Sequence, residues 1–265
     1  MVASEVKVQT RWAKWVAPCG VCALAVLTLA FYFTGWDLAI TGAFYDASLP
    51  AGSRFFLADK QPWDWLYEYD EVFHATYLVV VVSLLVLGFT SQERRLLLRY
   101  AGFLFLAYAL GPGLVVNFIF KGFYGRPRPR DTIPFNPSSS TRFYRVWEPA
   151  FLDGLDGASF PSGHPTGPLI FFAVFLAFNH PKALSRLLGA GRRAVAAFNA
   201  IKWAALAESL VVGLLMGVAR IVQGAHFASD VLWSFGFVFS ISAALYYLAY
   251  KFPRWELERL GKVQT

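Results

Sequence analysis

The sequence predicts an all-α protein, a six-transmembrane-helix bundle with an active site at the outer membrane face. Three observations lead there. Hydrophobic residues make up 57% of the 265-residue chain and charged residues only 15%, with a mean hydropathy of +0.46. A soluble domain carries about 25% charged residues, so this chain has more apolar surface than one core can hide. Six runs approach the roughly 20 apolar residues needed to cross a bilayer. Three short polar clusters, 121–129, 160–164 and 220–230, lie beside those runs, where charge is expensive unless it binds something.

The runs fall near 16–35, 73–90, 100–120, 165–180, 202–221 and 231–250. The first is too long for the apolar part of a cleavable signal, which is about 7–15 residues, and is read as a retained span. Cys19 and Cys22 within it are surrounded by small apolar residues and are read as buried packing residues without a disulfide framework. Pro165 and Pro168 shorten the fourth run, although proline is tolerated in a first helical turn. Lys and Arg mark the cytoplasmic side. The N-terminal tail, the second and fourth connections and the C-terminal tail hold 15 of the 24 basic residues, which places both termini in the cytoplasm. The first connection, 37–72, has seven acids against Arg54 and Lys60 and faces outward. The third, 121–164, is basic yet must share that outer side, and a bound anion explains its charge.

The net charge of +7 is thus assigned to loops. No basic tail or patterned basic helix marks a nucleic-acid partner, and the bilayer is the expected environment. With no internal repeat or low-complexity tract, residues 1–265 read as one integral membrane domain whose motif core covers about 73–250.

A phosphate ester suits the three clusters. Its transition state spreads negative charge over the equatorial oxygens, so fixed positive charge does most of the catalytic work. Lys121, Arg128 and Arg220 can supply it, and Ser162 and Gly163 add a hydroxyl and a backbone N–H before the fourth span. His226 and Asp230 are four residues apart and share a helical face. A carboxylate there can orient an imidazole and stabilise the cation formed on attack, leaving His164 to protonate the leaving alcohol. Asp230 as an N-cap of the last span is the plainer alternative. Arg126 and Arg130 suit phosphate, anionic headgroups or water. No His- or acid-rich group has metal-site spacing, so neither metal nor cofactor is expected. His74 and His180 lack such neighbours and are read as interfacial. The aromatic residues of the outer connections, Trp63, Trp65, Tyr67, Tyr69, Phe143, Tyr144 and Trp147, are read as an interfacial belt or as a wall for a lipid headgroup.

The clusters resemble those of the type 2 phosphatidic acid phosphatase superfamily, which also includes vanadium haloperoxidases. Lys121, Arg128 and Pro129 match K-x6-R-P; Pro161 to His164 match P-S-G-H; Arg220, His226 and Asp230 match R-x5-H-x3-D. Order and spacing both agree. The resemblance implies a helical membrane core and metal-independent hydrolysis of a phosphate ester. It also implies a phosphohistidine on His226, with Asp230 as its partner and His164 as general acid. Ala219 replaces a serine common in the third motif. The run Gly125 to Asp131 and the aromatics near 143–147 are similar to bacterial lipid A phosphatases of the superfamily, which favours lipid A as the membrane lipid substrate. Phosphatidylglycerophosphate, phosphatidate and undecaprenyl pyrophosphate are the alternatives. A lipid phosphotransferase and a non-catalytic lipid transporter are rival activities. A bacterial inner membrane with a periplasmic site follows from the same resemblance.

Overall fold

The computed structural model describes residues 2–263, with side chains from Pro18 to Leu260 apart from Glu93. Helices dominate, and among the described residues the β pairing is one isolated bridge between Tyr45 and Phe55. Helix α1 (Val2–Phe33) turns into α2 (Trp36–Gly42), and a short helix α3 (Trp63–Glu68) precedes α4 (Asp70–Phe89). Then come α5 (Leu96–Phe123), α6 (Thr166–Ala177), α7 (Pro181–Leu187) and α8 (Arg192–Val222). Last are α9 (Ala228–Ala244), prolonged by a wide turn over Leu245–Ala249, and α10 (Phe252–Val263).

Four helical stretches are long and apolar enough to cross a membrane, and counting each bent pair as one span gives six. The bent pairs are Pro18–Phe33 with Trp36–Gly42, at 78°, and α6 with α7, at 64°. The fourth run thus splits after Ala177. Pro165 and Pro168 sit at its start, where they interrupt no earlier turn. Helix α8 begins ten residues before the expected 202, because its Ala-rich first half is a strong helix former. Lys202, expected in a loop, is consequently buried in α8, where its Nζ donates to the Asn179 carbonyl at 3.2 Å.

Helix α4 buries only 17% of its apolar window and presents Val72, Val79, Val82, Val86 and Phe89 outward, a surface suited to lipid. Cys19 and Cys22 are free and exposed on the apolar α1. The expectation that they pack inside fails, because they fall on the face α1 turns away from its neighbours. Inside the bundle, Tyr77, Phe103, Leu104, Leu169, Ile170, Val238 and Tyr246 share one core, and the Tyr77 hydroxyl donates to the Leu104 carbonyl at 2.9 Å.

His180 is not interfacial. It is buried between α6 and α7, with Nδ1 2.5 Å from Glu256 Oε2, and Tyr100 donates to the other oxygen of Glu256 at 2.7 Å. Helix α10, which continues the line of α9, brings Glu256 there. Arg99 adds a bond to the Tyr250 carbonyl and lies over the Trp255 ring at 5.0 Å.

The opposite end collects the C-termini of α5 and α8 and the N-termini of α4, α6 and α9. It is pinned by Arg126, which is fully buried. All five guanidinium N–H groups are used. They reach Asp37 Oδ2 at 2.9 Å, Ser229 Oγ at 2.9 Å, Asp230 Oδ1, and the Tyr144 carbonyl twice, at 2.8 and 3.0 Å. Asp37 on α2 also accepts the Ser229 N–H at 2.9 Å and its hydroxyl at 2.6 Å. Arg126 therefore meets neither phosphate nor water; its field is taken up by two carboxylates.

Removing one partner of a buried ion pair leaves an uncompensated charge and costs about 3–5 kcal/mol. Asp37→Ala should lower the melting temperature in detergent by roughly 5–15 °C. A shift under about 2 °C would show that Arg126 is held well enough without Asp37.

Candidate active site

The pinned end collects the charged and polar side chains of the three sequence clusters. Pro112 lies within α5, and wide helical turns surround it from Ala109 to Phe120. Asn117 donates to the Pro112 carbonyl at 2.8 Å. Asn117 and Lys121, four apart, then share a face and point at the segment before α6. A Cβ on Gly163 would lie 2.9 Å from both Lys121 Nζ and Asn117 Oδ1, so only glycine lets the ammonium come this close to the backbone. Asn117 carried no signal in the sequence beyond its spacing from Lys121.

Residues 160–164 are fixed from both sides. The Ser162 N–H donates to the Asp230 carbonyl at 3.2 Å, and the Ser234 hydroxyl donates to the Ser162 carbonyl at 2.6 Å. Thr166 caps the turn by donating its hydroxyl to the Gly163 carbonyl at 2.6 Å. Helix α6 therefore begins immediately after Ser162, Gly163 and His164. The Ser162 hydroxyl, His164 Nδ1 and Arg220 Nε are buried without a hydrogen-bond partner. Native structures rarely leave such atoms unmet, and all three can donate to an anion.

Arg220 closes α8. Its guanidinium bonds Gln223 Oε1 and lies 4.5 Å from the Tyr67 ring centre. Tyr67 also stacks on His164, with ring centres 5.1 Å apart. One of the belt aromatics thus walls the site, because α3 packs against the last turns of α8. Trp147 instead joins Phe120, Tyr124, Phe160 and Trp233 in a separate aromatic cluster.

His226 and Asp230 lie together, but not as a directly bonded pair. His226 Nδ1 is 2.5 Å from the Ser159 carbonyl and 3.8 Å from Asp230 Oδ2. A carbonyl can only accept, so Nδ1 carries the proton and Nε2 keeps its lone pair. Asp230 is committed elsewhere. Its carboxylate accepts from Arg126, from the Ser159 hydroxyl at 2.6 Å and from the Phe227 N–H at 2.8 Å. The last bond caps α9, so the capping role and the place beside His226 coexist. Ser159, which the sequence reading passed over, holds both members.

Electrostatics tie the group together. Burial, then the charges of Arg220, His226, Lys121 and Arg128, pull the His164 pKa down to about 3. Burial likewise lowers His226 to about 4, against the opposing pull of Asp230. Lys121, Arg128 and Arg220 thus crowd two neutral imidazoles, an arrangement that an incoming dianion relieves. Ala219, in place of serine, is fully buried against Leu66 and Met216 and contributes no donor. Among the described residues, no three His, Cys, Asp or Glu side chains are grouped to hold a metal ion.

Comparison with known proteins agrees with this arrangement. Residues 96–254 match the model of the PAP2 superfamily. The chain is 26% identical over 224 residues to the lipid A 4'-phosphatase of Francisella tularensis subsp. novicida (strain U112), covering 83% of this chain and 88% of that protein. No solved structure matches. With three motifs in family order gathered at one end of a helical membrane bundle, and a family match over most of the chain, the chain belongs to the PAP2 superfamily and is a membrane phosphatase acting on phosphate monoesters.

Proposed function

We infer that the protein is a metal-independent lipid phosphatase that removes phosphate from lipid A through a phosphohistidine on His226. The observation that carries the mechanism is the bond from His226 Nδ1 to the Ser159 carbonyl, which leaves Nε2 as a neutral nucleophile. Lys121, Arg128 and Arg220, with the Ser162 hydroxyl and the Gly163 backbone, hold the phosphate oxygens. Nε2 attacks phosphorus, and the bond to the lipid oxygen breaks as His164 gives that oxygen a proton. The positive charge formed on His226 lies 3.8 Å from the Asp230 carboxylate, which stabilises it without a shared proton. Water, deprotonated by His164, then cleaves the N–P bond and releases phosphate. Three fixed cations supply the charge stabilisation a metal would otherwise give.

Likeness to a lipid A 4'-phosphatase over most of both chains supports lipid A, and the 4'-phosphate, as the target. The site then faces the periplasm from a bacterial inner membrane, with both termini in the cytoplasm, as the basic connections indicate. One domain spanning 1–265 suffices for the whole reaction.

Phosphate release from lipid A in detergent containing EDTA should occur with the wild type and fall at least about 1,000-fold in His226→Ala. A variant as active as the wild type would remove the phosphohistidine. His164→Ala should slow the reaction about 100–10,000-fold, the usual range for a general acid. Phosphatidate preferred to lipid A would transfer the assignment to glycerophospholipids.

Dependence on pH gives a separate check. Since His226 titrates at about 4, it stays neutral throughout weak acid. His164 is also neutral in the free site, so the proton it donates arrives with a phosphate monoanion, whose second pKa is about 6. The quantity kcat/KM should therefore hold from about pH 6 down to about pH 4 and decline at higher pH. An acid limb near the ordinary histidine value of about 6.5 would overturn this.

A further inference from the structure

Helix α4 opens with two titratable side chains that the hydrolysis does not use. Asp70 and His74 lie one turn apart, with Asp70 Oδ1 3.6 Å from His74 Nε2, beyond hydrogen-bond range. Both face the first turn of α6. A Cβ on Gly167 would lie 2.9 Å from Asp70 Oδ1 and 3.1 Å from His74 Nε2. The bare glycine lets the Asp70 carboxylate press against the backbone one turn beyond His164, whose carbonyl accepts the Gly167 N–H at 3.2 Å. The Tyr108 ring, 5.6 Å from that of His74, closes the far side.

Asp70 Oδ1 and His74 Nδ1 are both buried without a hydrogen-bond partner. The charge of Asp70 reaches Lys121 and Arg220, so the carboxylate stands at the rim of the phosphate-binding group. A buried carboxylate oxygen that no donor meets is unfavourable unless a ligand brings the donor. Lys121, Arg128 and Arg220 already serve the phosphate in the reading above, so the missing donor falls to another group of the ligand. It is a neutral donor carried beside the phosphate.

We propose that Asp70 accepts a hydrogen bond from a hydroxyl or amide N–H of the substrate next to its phosphate, and so selects a phosphorylated amino sugar over a phosphorylated diacylglycerol. The ester oxygens of a diacylglycerol phosphate offer no donor there, whereas an acylated glucosamine has both hydroxyl and amide donors. This specificity role rests on the lipid A reading above. His74, stacked edge-on against Tyr108, positions the carboxylate.

The test compares the KM for lipid A with the inhibition constant of inorganic phosphate, which fills the phosphate site without a sugar. Asp70→Asn and Asp70→Ser should each raise KM for lipid A about 10-fold, the scale of one hydrogen bond to a charged group. Kcat should change little, and inorganic phosphate should inhibit the variants at least as strongly as the wild type. Equal weakening of lipid A and phosphate, or an unchanged KM, would overturn the proposal. If neither variant folds, by its melting curve in detergent, Asp70 belongs to the fold and the proposal also falls. Failure of the underlying reading would show separately, as absence of phosphate release from lipid A by the wild type before any variant is made.

Discussion

A guanidinium with no solvent exposure must have every N–H met and its charge balanced within a few ångströms. Arg126 meets both demands, and much of the active end of the molecule is arranged to let it. Asp37 comes from α2, Ser229 and Asp230 from the start of α9, and the Tyr144 carbonyl from the long third connection. Three separate stretches of chain therefore meet at one planar ion. Asp230 is drawn into that cluster and turned so that its other oxygen receives Ser159 and Phe227. Ser159, held at one end by Arg126 and Asp230, offers its carbonyl to His226. The orientation of the proposed nucleophile is thus set by a charge pair that touches no substrate.

The same end of the bundle contains cations of two kinds. Arg126 has carboxylates against it and is spent on structure. Lys121, Arg128 and Arg220 crowd one another and two neutral histidines, with Asp70 at the rim as a weak counterweight. Positive charge of this second kind, buried at Arg220 and half-buried at Lys121 and Arg128, suits an incoming anion, as do the unmet Ser162 hydroxyl, His164 Nδ1 and Arg220 Nε. The depression of both histidines is the signature of that incomplete state: each imidazole stays neutral until negative charge arrives. Two arginines two residues apart, Arg126 and Arg128, therefore differ in role, one neutralised inside and the other assigned to the ligand in the proposed mechanism.

At the other end, His180, Glu256 and Tyr100 form a smaller buried network that fastens α10 to α5 and to the turn between α6 and α7. It has no link to the chemistry. It shows that a histidine in this chain is no marker of function by itself, since His180 is more deeply buried than His164 and still structural.

What the sequence determined alone is what short-range spacing encodes. Hydropathy and length marked out the apolar runs, and Pro165 marked the start of α6. The intervals Lys121 to Arg128, Pro161 to His164 and Arg220 to Asp230 placed the charged groups at helix ends, where local geometry leaves little freedom. The tertiary structure decided which of those groups touch. Asp37 meets Arg126 across 89 residues, Ser159 takes the bond expected of Asp230, and Tyr67 reaches His164 from a helix that looked like an interfacial belt. Glu256 likewise claims His180. Each of these contacts depends on how bent helices and a long loop close over one another, and side-chain partners separated by that much chain are chosen by global packing and charge balance, which no local interval records.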